Sequence, residues 1–297
     1  MGARVVDSGE LEILEARMGR LHARQRLGVE TDHEAQVFGH GLNFFHIENS
    51  KLSAFVIEWT LKLTGLYWRG RSNAARVRIV ENRVASAALP AGFDGFTILH
   101  LSDLHCDMSE RAMARVNELV APLAYDVCVI TGDFRGDTFG SCDRCMGSVA
   151  ALRSRLKGPV YAVLGNHDSV RMVPVLEGMD IRVLMNECVT IEREGRAIYL
   201  AGVDDAHFYR ADNLEKASAD IPPEAFSILL THTPEIYRQA AHAGFHLLLS
   251  GHTHGGQICL PGGVPITLDS VLPRRLGKGA WRHHGMHGYT SVGAGSS

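Results

Sequence analysis

The chain has 297 residues, of which 45% are hydrophobic and 21% charged, with a formal net charge of -3. This is an ordinary soluble globular composition, and its near-neutral balance argues against a polyanion-binding surface and therefore against nucleic acid as a partner. The six cysteines are scattered, no secretory leader is visible, and no apolar run reaches the roughly 18 residues that a spanning helix needs, so reduced thiols and a cytoplasmic location are expected.

Residues 1–72 read as helical. Leu11, Leu14, Leu21 and Leu27 recur at near-helical spacing over one stretch, and residues 51–68 form a second, apolar helix that breaks at Gly70, Ser72 and Asn73. Trp59, Tyr67 and Trp68 lie beside a basic cluster of Arg69, Arg71, Arg76, Arg78 and Arg83. An apolar helix with aromatics and flanking arginines suits a bilayer surface. Residues 51–83 are therefore expected either to sit peripherally on the inner face of the cytoplasmic membrane or to pack on the protein body with a solvated basic edge. The expected organisation is a helical appendage over 1–72 and a larger domain over 73–297.

From residue 75 the pattern changes to strands. Residues 75–86 alternate in the strand manner, and 96–102, 126–132, 159–165, 197–203, 226–232 and 245–252 are apolar runs that end abruptly in polar residues. Helical stretches at 109–121, 146–157, 171–178 and 234–243 lie between several of them. Strand–helix alternation predicts a layered α/β fold, in which ligands bind beyond the carboxyl ends of the strands.

Five segments at such ends carry chemistry: Ser102-Asp103-Leu104-His105, Gly132-Asp133, Gly165-Asn166-His167-Asp168, Thr231-His232-Thr233-Pro234, and Gly251-His252-Thr253-His254-Gly255-Gly256. They supply carboxylates, an amide oxygen and several imidazoles. Phosphate-ester cleavage with two metals needs such a set, including one carboxylate shared by ions about 3.5–4 Å apart. Mixed nitrogen and oxygen ligands suit zinc, manganese, iron or nickel better than calcium. An imidazole that is not a ligand can stabilise phosphoryl charge or protonate the leaving oxygen.

These motifs, in this order and each after a strand, resemble the calcineurin-like metallophosphoesterase family over residues 96–259. The resemblance implies a four-layer α-β-β-α sandwich of two mixed sheets and a phosphate-ester substrate. It implies two divalent ions (Mn, Zn or Fe), one on Asp103, His105, Asp133 and His254, the other on Asp133, Asn166, His232 and His252. It makes His167 the catalytic histidine and has Asp168 orient it. Phosphoprotein phosphatases of the family have V-D-R-G and G-N-H-E where this chain has Phe134-Arg135-Gly136-Asp137 and a motif ending in Asp168, which argues against a protein-serine phosphatase. Residues 89–105 and 231–262 are similar to a bacterial subgroup with membrane-attached N-termini. That subgroup includes phosphodiesterases and hydrolases of UDP-2,3-diacylglucosamine, although this chain starts with a longer, less apolar helical segment. The implied function is hydrolysis of a phosphodiester or pyrophosphate bond, with a lipid-linked nucleotide sugar as one substrate class and a soluble nucleotide or general phosphodiesterase as the alternative. A non-catalytic scaffold is disfavoured, because every ligand position holds a suitable residue.

Other features have plainer readings. Cys142 and Cys145 form a lone CxxC without the second pair a zinc site needs, and Cys106 is expected to pack. His283, His284 and His287 read as a solvated loop, and His33, His40 and His46 as structural or surface residues. Asp204 and Asp205 either face the substrate or cap a turn. Arg135 either grips a phosphate through its planar fork or makes a structural ion pair.

Overall fold

The structure is a computed structural model, and it describes residues 8–32, 59–60, 62–65, 67–68, 70, 76–256, 258–260, 264–268 and 270–295. Strands β1 (Ile98–Leu101), β2 (Val127–Thr131), β3 (Val160–Val163) and β4 (Ile181–Val183) form a four-stranded sheet in that order. All its neighbours are parallel, so this sheet is not mixed. Its first two crossovers pass through helices α3 (Glu110–Val120) and α4 (Asp143–Arg153), and the third through α5 (Val173–Glu177); a crossover helix returns the chain to the same end of the sheet and keeps strands parallel.

The second sheet contains β5 (Glu187–Arg193), β6 (Arg196–Gly202), β7 (Ser227–Leu230), β8 (Leu247–Ser250), β11 (Gly279–His283) and β12 (Met286–Thr290) in the order β11-β12-β8-β7-β6-β5. It is mixed: the outer pairs β5–β6 and β11–β12 are antiparallel and the inner pairs parallel. Helices α6 (Leu214–Ser218) and α7 (Tyr237–His242) and a small ribbon of β9 (Ile258–Leu260) and β10 (Val264–Thr267) complete this half.

Alternation of side chains along the strands explains the layering. Cys128 and Ile130 of β2 join Met113 and Val116 of α3 and Val149 and Leu152 of α4 in one core. Val129, between them, points the other way, into a core with Ile198, Leu200, Ile228, Leu230, Leu247 and Leu249 of the second sheet. Leu229 and Leu248 face outward again, onto Tyr237, Ala240 and Trp281. The result is the expected order of helices, sheet, sheet, helices. Helix α3 shows the local logic: Ser109 caps it by accepting from Ala112 N at 3.2 Å, and Met113, Val116 and Val120 line its buried face.

Two further expectations change. The first helical stretch is two helices, α1 (Ser8–Met18) and α2 (Arg20–Asp32), because Gly19 turns the chain at φ 93°. Residues 76–86 of the alternating segment form no strand and pair with no sheet, and most are exposed. Alternation predicts a strand only where a partner edge exists. The apolar helix at 51–68 and His33, His40 and His46 fall largely or wholly outside the described residues. No helix among the described residues is long and apolar enough to cross a membrane.

Candidate active site

Loops from the carboxyl ends of β1, β2, β3, β7 and β8 meet at one edge of the sandwich. Asp103, His105, Asp133, His252 and His254 take φ values of 50°, 39°, 55°, 70° and 50°. Each is a left-handed conformation that costs a non-glycine residue about 1 kcal/mol or more, and such residues persist only where their surroundings over-determine them. Here the first two loops run side by side, with Asp103 N on Gly132 O at 3.0 Å, His105 N on Asp133 O at 3.1 Å and Cys106 N on Phe134 O at 2.8 Å. The C-terminal segment adds Ala294 N on Ser102 O and Gly295 N on Asp103 O, both at 2.9 Å. Two glycines are sterically required: a Cβ on Gly165 would run into the Asp133 carboxylate, and one on Gly251 into Ser102 Oγ and Asp103 Oδ2.

The seven expected ligands converge. His105 Nε2 lies 3.3 Å from His254 Nε2, which lies 3.5 Å from Asp103 Oδ1. On the other side, His232 Nε2 lies 2.9 Å from Asn166 Oδ1 and 3.2 Å from His252 Nδ1. Asp133 Oδ2 stands between the two groups, 3.3 Å from His232 Nε2 and 4.0 Å from His105 Nε2. Among the described residues, Asp103, His105 and His254, and likewise Asp103, Asp133 and His232, offer ligand atoms that all lie within 4.8 Å of one another.

The chemistry of this donor set fits divalent cations. His105 Nδ1 is bonded to Arg135 O at 2.9 Å and His232 Nδ1 to Thr131 O at 2.8 Å. A carbonyl accepts only from a protonated nitrogen, so in the neutral rings each Nε2 presents a lone pair to the centre. Lone pairs of imidazoles, two carboxylates and an amide oxygen then face one another with little but a cation to reconcile them. Burial would lower the His232 pKa, but Asp133 and the other carboxylates lift it to about 10. Burial would raise the Asp133 carboxyl, but His232, His167 and His105 hold it well below the usual carboxylate range. The site thus favours positive charge beside Asp133.

A chain of hydrogen bonds from behind fixes Asp103. Ser102 Oγ donates to Asp103 Oδ2 at 2.5 Å, Thr131 Oγ1 donates to Ser102 Oγ at 2.8 Å, and His100 Nε2 is 2.8 Å from Thr131 Oγ1. His252 N also donates to both Asp103 oxygens, at 3.0 and 3.1 Å.

His167 borders the ligands without joining them. Its ring lies edge-on to His105, centroids 5.4 Å apart, and its Nδ1 is 2.9 Å from Thr138 Oγ1. Thr138, not Asp168, orients it. The Asp168 carboxylate instead accepts from the backbone N–H of Asp133 at 2.8 Å, Phe134 at 2.9 Å and Gly165 at 2.9 Å; it ties two loops together and is wholly buried.

The expected substrate residues turn inward. Arg135 gives Nε to His167 O at 2.5 Å, Nη1 to Gly140 O at 3.3 Å and Nη2 to Thr138 O. A fork spent on main-chain carbonyls does not grip phosphate. The Asp205 carboxylate accepts from the N–H of His207, Phe208 and Tyr209 at 3.2, 2.7 and 2.7 Å, which is the turn-cap reading. Asp204 is wholly buried against Arg26. Cys106, Cys142 and Cys145 are free thiols, and Cys106 and Cys145 pack in the core on the α3–α4 side. His283 and His287 belong to strands β11 and β12, with only His284 in the turn between them; His283 lies edge-on to Tyr237 and His284, and the His284 ring is tilted against His242.

Sequence reasoning missed His207. Its ring packs on His252 at 4.4 Å between centroids, and its Nδ1 is 3.0 Å from Glu235 Oε2. The residue stands in a loop with no motif spacing; the available signal was Glu235, three residues after His232.

A family model described as calcineurin-like phosphoesterase matches residues 96–256, over half of the chain. The uncharacterized metallophosphoesterase YkoQ of Bacillus subtilis is 33% identical over 210 residues, covering 67% of this chain and 76% of that protein. A transmembrane protein with metallophosphoesterase domain from Bos taurus is 32% identical over 227 residues, which is 69% of this chain but only 50% of its own length. Among solved structures, the phosphopantetheinyl hydrolase of Mycobacterium tuberculosis aligns over 66% of this chain and 89% of its own, with a TM-score of 0.43 and 13% identity. The convergent histidines, carboxylates and amide, with the sequence match that spans them, show that this chain belongs to the calcineurin-like phosphoesterase family and is a metal-dependent phosphoester hydrolase.

Proposed function

We propose that the chain hydrolyses phosphodiester or pyrophosphate bonds at two divalent ions that share Asp133. The observation that carries this reading is the place of Asp133 Oδ2, 3.3 Å from His232 Nε2 and 4.0 Å from His105 Nε2. Asp103, His105 and His254 would complete one ion's ligands, and Asn166, His232 and His252 the other's. When bound, such ions clamp phosphoryl oxygens and make a water nucleophilic near neutral pH. The chain's own residues supply the remainder. The carbonyls of Arg135 and Thr131 fix the rings of His105 and His232 and make their inward nitrogens more basic. His167, with Nδ1 engaged by Thr138, has Nε2 to hold phosphoryl charge or to pass a proton to the leaving oxygen.

The finer part of the proposal is a lipid-linked nucleotide sugar of the UDP-2,3-diacylglucosamine kind, met at a membrane surface. It is supported by the exposure of Trp59 (50%), Leu63 (82%) and Trp68 (69%) in the segment flanked by arginines. Full-length protein should hydrolyse bis-(p-nitrophenyl) phosphate, lose the activity on chelation and regain it with manganese or zinc. Asp133→Asn should cut turnover by several orders of magnitude, whereas His167→Ala should keep both ions yet lose about a hundredfold or more, the usual scale for a positioned acid or base. Full activity after thorough chelation, or in either variant, would refute the dinuclear reading. A preference for bis-(p-nitrophenyl) phosphate or free nucleotides over UDP-2,3-diacylglucosamine would refute only the lipid-linked substrate.

A further inference from the structure

The loop that carries Asn166 and His167 is gripped from behind by α2. Arg26 is wholly buried, and its Nη2 donates to Asp168 O at 2.6 Å. Its guanidinium lies over the Tyr209 ring, 3.3 Å from the centroid, and its Nε faces Glu30 Oε1 at 3.1 Å and Asp204 Oδ2 at 3.5 Å. One helical turn on, Glu30 accepts from Val170 N at 2.9 Å and from Ser169 Oγ at 2.7 Å. Three consecutive residues, 168 to 170, are thus tied to one turn of a helix some 140 positions earlier in the chain. On the opposite side the Asp168 carboxylate ties the same loop to Asp133.

A helix that only covered a core would be served by apolar side chains, because a wholly buried guanidinium is costly unless its bonds fix something. What these bonds fix is the stretch immediately after His167. We infer that Arg26 and Glu30 are positioning residues for His167, so that α2 is a working part of the active site. The inference rests on the catalytic reading of His167. Partners of this outer kind typically matter by about 10–100-fold in activity, and small misplacements of a reacting group are costly on the same scale.

The test uses the full-length, manganese-loaded protein and hydrolysis of bis-(p-nitrophenyl) phosphate, with Glu30→Ala, Glu30→Gln, Ser169→Ala and His167→Ala singly and the first and third also combined with His167→Ala. Glu30→Ala should lower kcat about tenfold or more, the lower end of the range for such partners, with KM and metal content little changed. Glu30→Gln should recover most of the loss, because its amide oxygen can accept from Val170 N and its amide nitrogen can donate to the Ser169 hydroxyl. In the His167→Ala background Glu30→Ala should cost almost nothing, since it acts through a group already removed. Ser169→Ala, which removes the bond to Glu30 and the cap bond from Arg171 N without altering α2, should show a smaller loss that also vanishes in that background, and it serves where Glu30→Ala does not fold. Unchanged kcat in folded Glu30→Ala or Ser169→Ala, or an equal loss with and without His167, overturns the inference while leaving the catalytic reading intact. Wild-type turnover in His167→Ala overturns the catalytic reading, and this inference with it.

Discussion

His100 stands at the start of the hydrogen-bond chain that ends on Asp103, and its burial has a measurable consequence. Burial pushes its pKa down to about 4, against 6.5 in the unfolded chain, with only partial relief from Asp103. A base whose folded pKa is depressed binds fewer protons folded than unfolded between these values. Its contribution to stability is therefore complete above about pH 6.5 and lost as pH falls toward 4. A gap of about two and a half units corresponds to about 3 kcal/mol at most. In His100→Gln, denaturant melts should show a smaller loss of stability than the wild type between pH 6.5 and 4, with matched metal concentrations so that ligand titrations cancel. Parallel pH profiles for the two proteins would contradict this account. Residue roles were only partly legible in the sequence. His105 and His232 are recognisable from their motifs, but that Asp168 binds backbone and Arg135 is spent on carbonyls depends on where side chains point from loops with left-handed residues, and no local pattern encodes that direction.

Among the elements, the buried strands β1, β2, β3, β6, β7 and β8 and helix α3 were readable because one periodicity fills each, whereas the three-residue β4 is too short to show one. Strand β12 was not. Its residues include Gly288, which reads as a breaker, yet the strand pairs in parallel with β8 and antiparallel with β11. The reason is tertiary: the Trp281 ring of β11 lies where a Gly288 side chain would be, and Trp281 Nε1 donates to Thr290 Oγ1 at 2.9 Å across the same ribbon. Gly288→Ala should therefore destabilise the protein by about 1–3 kcal/mol, the cost of overpacking a filled site. Thermal denaturation should show the lower midpoint; an unchanged midpoint would mean that the ring moves aside freely. The reverse error occurs at 76–86, where alternation is present but no strand edge is offered.

At the scale of the whole molecule, α1 and α2 dock along the body through Arg17 on Glu177 and Glu187, Gln25 on Tyr209 O and Arg210 O, and Arg26 on Asp204. Arg26→Ala removes the cation from beside a wholly buried carboxylate, and breaking a buried pair in this way costs about 3–5 kcal/mol. Urea unfolding should show a loss of that order, and a loss below about 1 kcal/mol, the usual worth of an exposed pair, would mean that the contact is not the buried one described. None of this docking was visible in sequence, since no spacing relates Arg26 to Asp168 or Asp204. The sequence by itself determined the layered α/β order, the five polar strand ends and the residue types able to hold two cations, because hydrophobic periodicity and ligand chemistry are properties of short segments. Only the tertiary structure decided which groups are spent on backbone, and that a helix from the beginning of the chain braces the loop of His167, because each of these is a contact between residues whose separation along the chain carries no information about their separation in space.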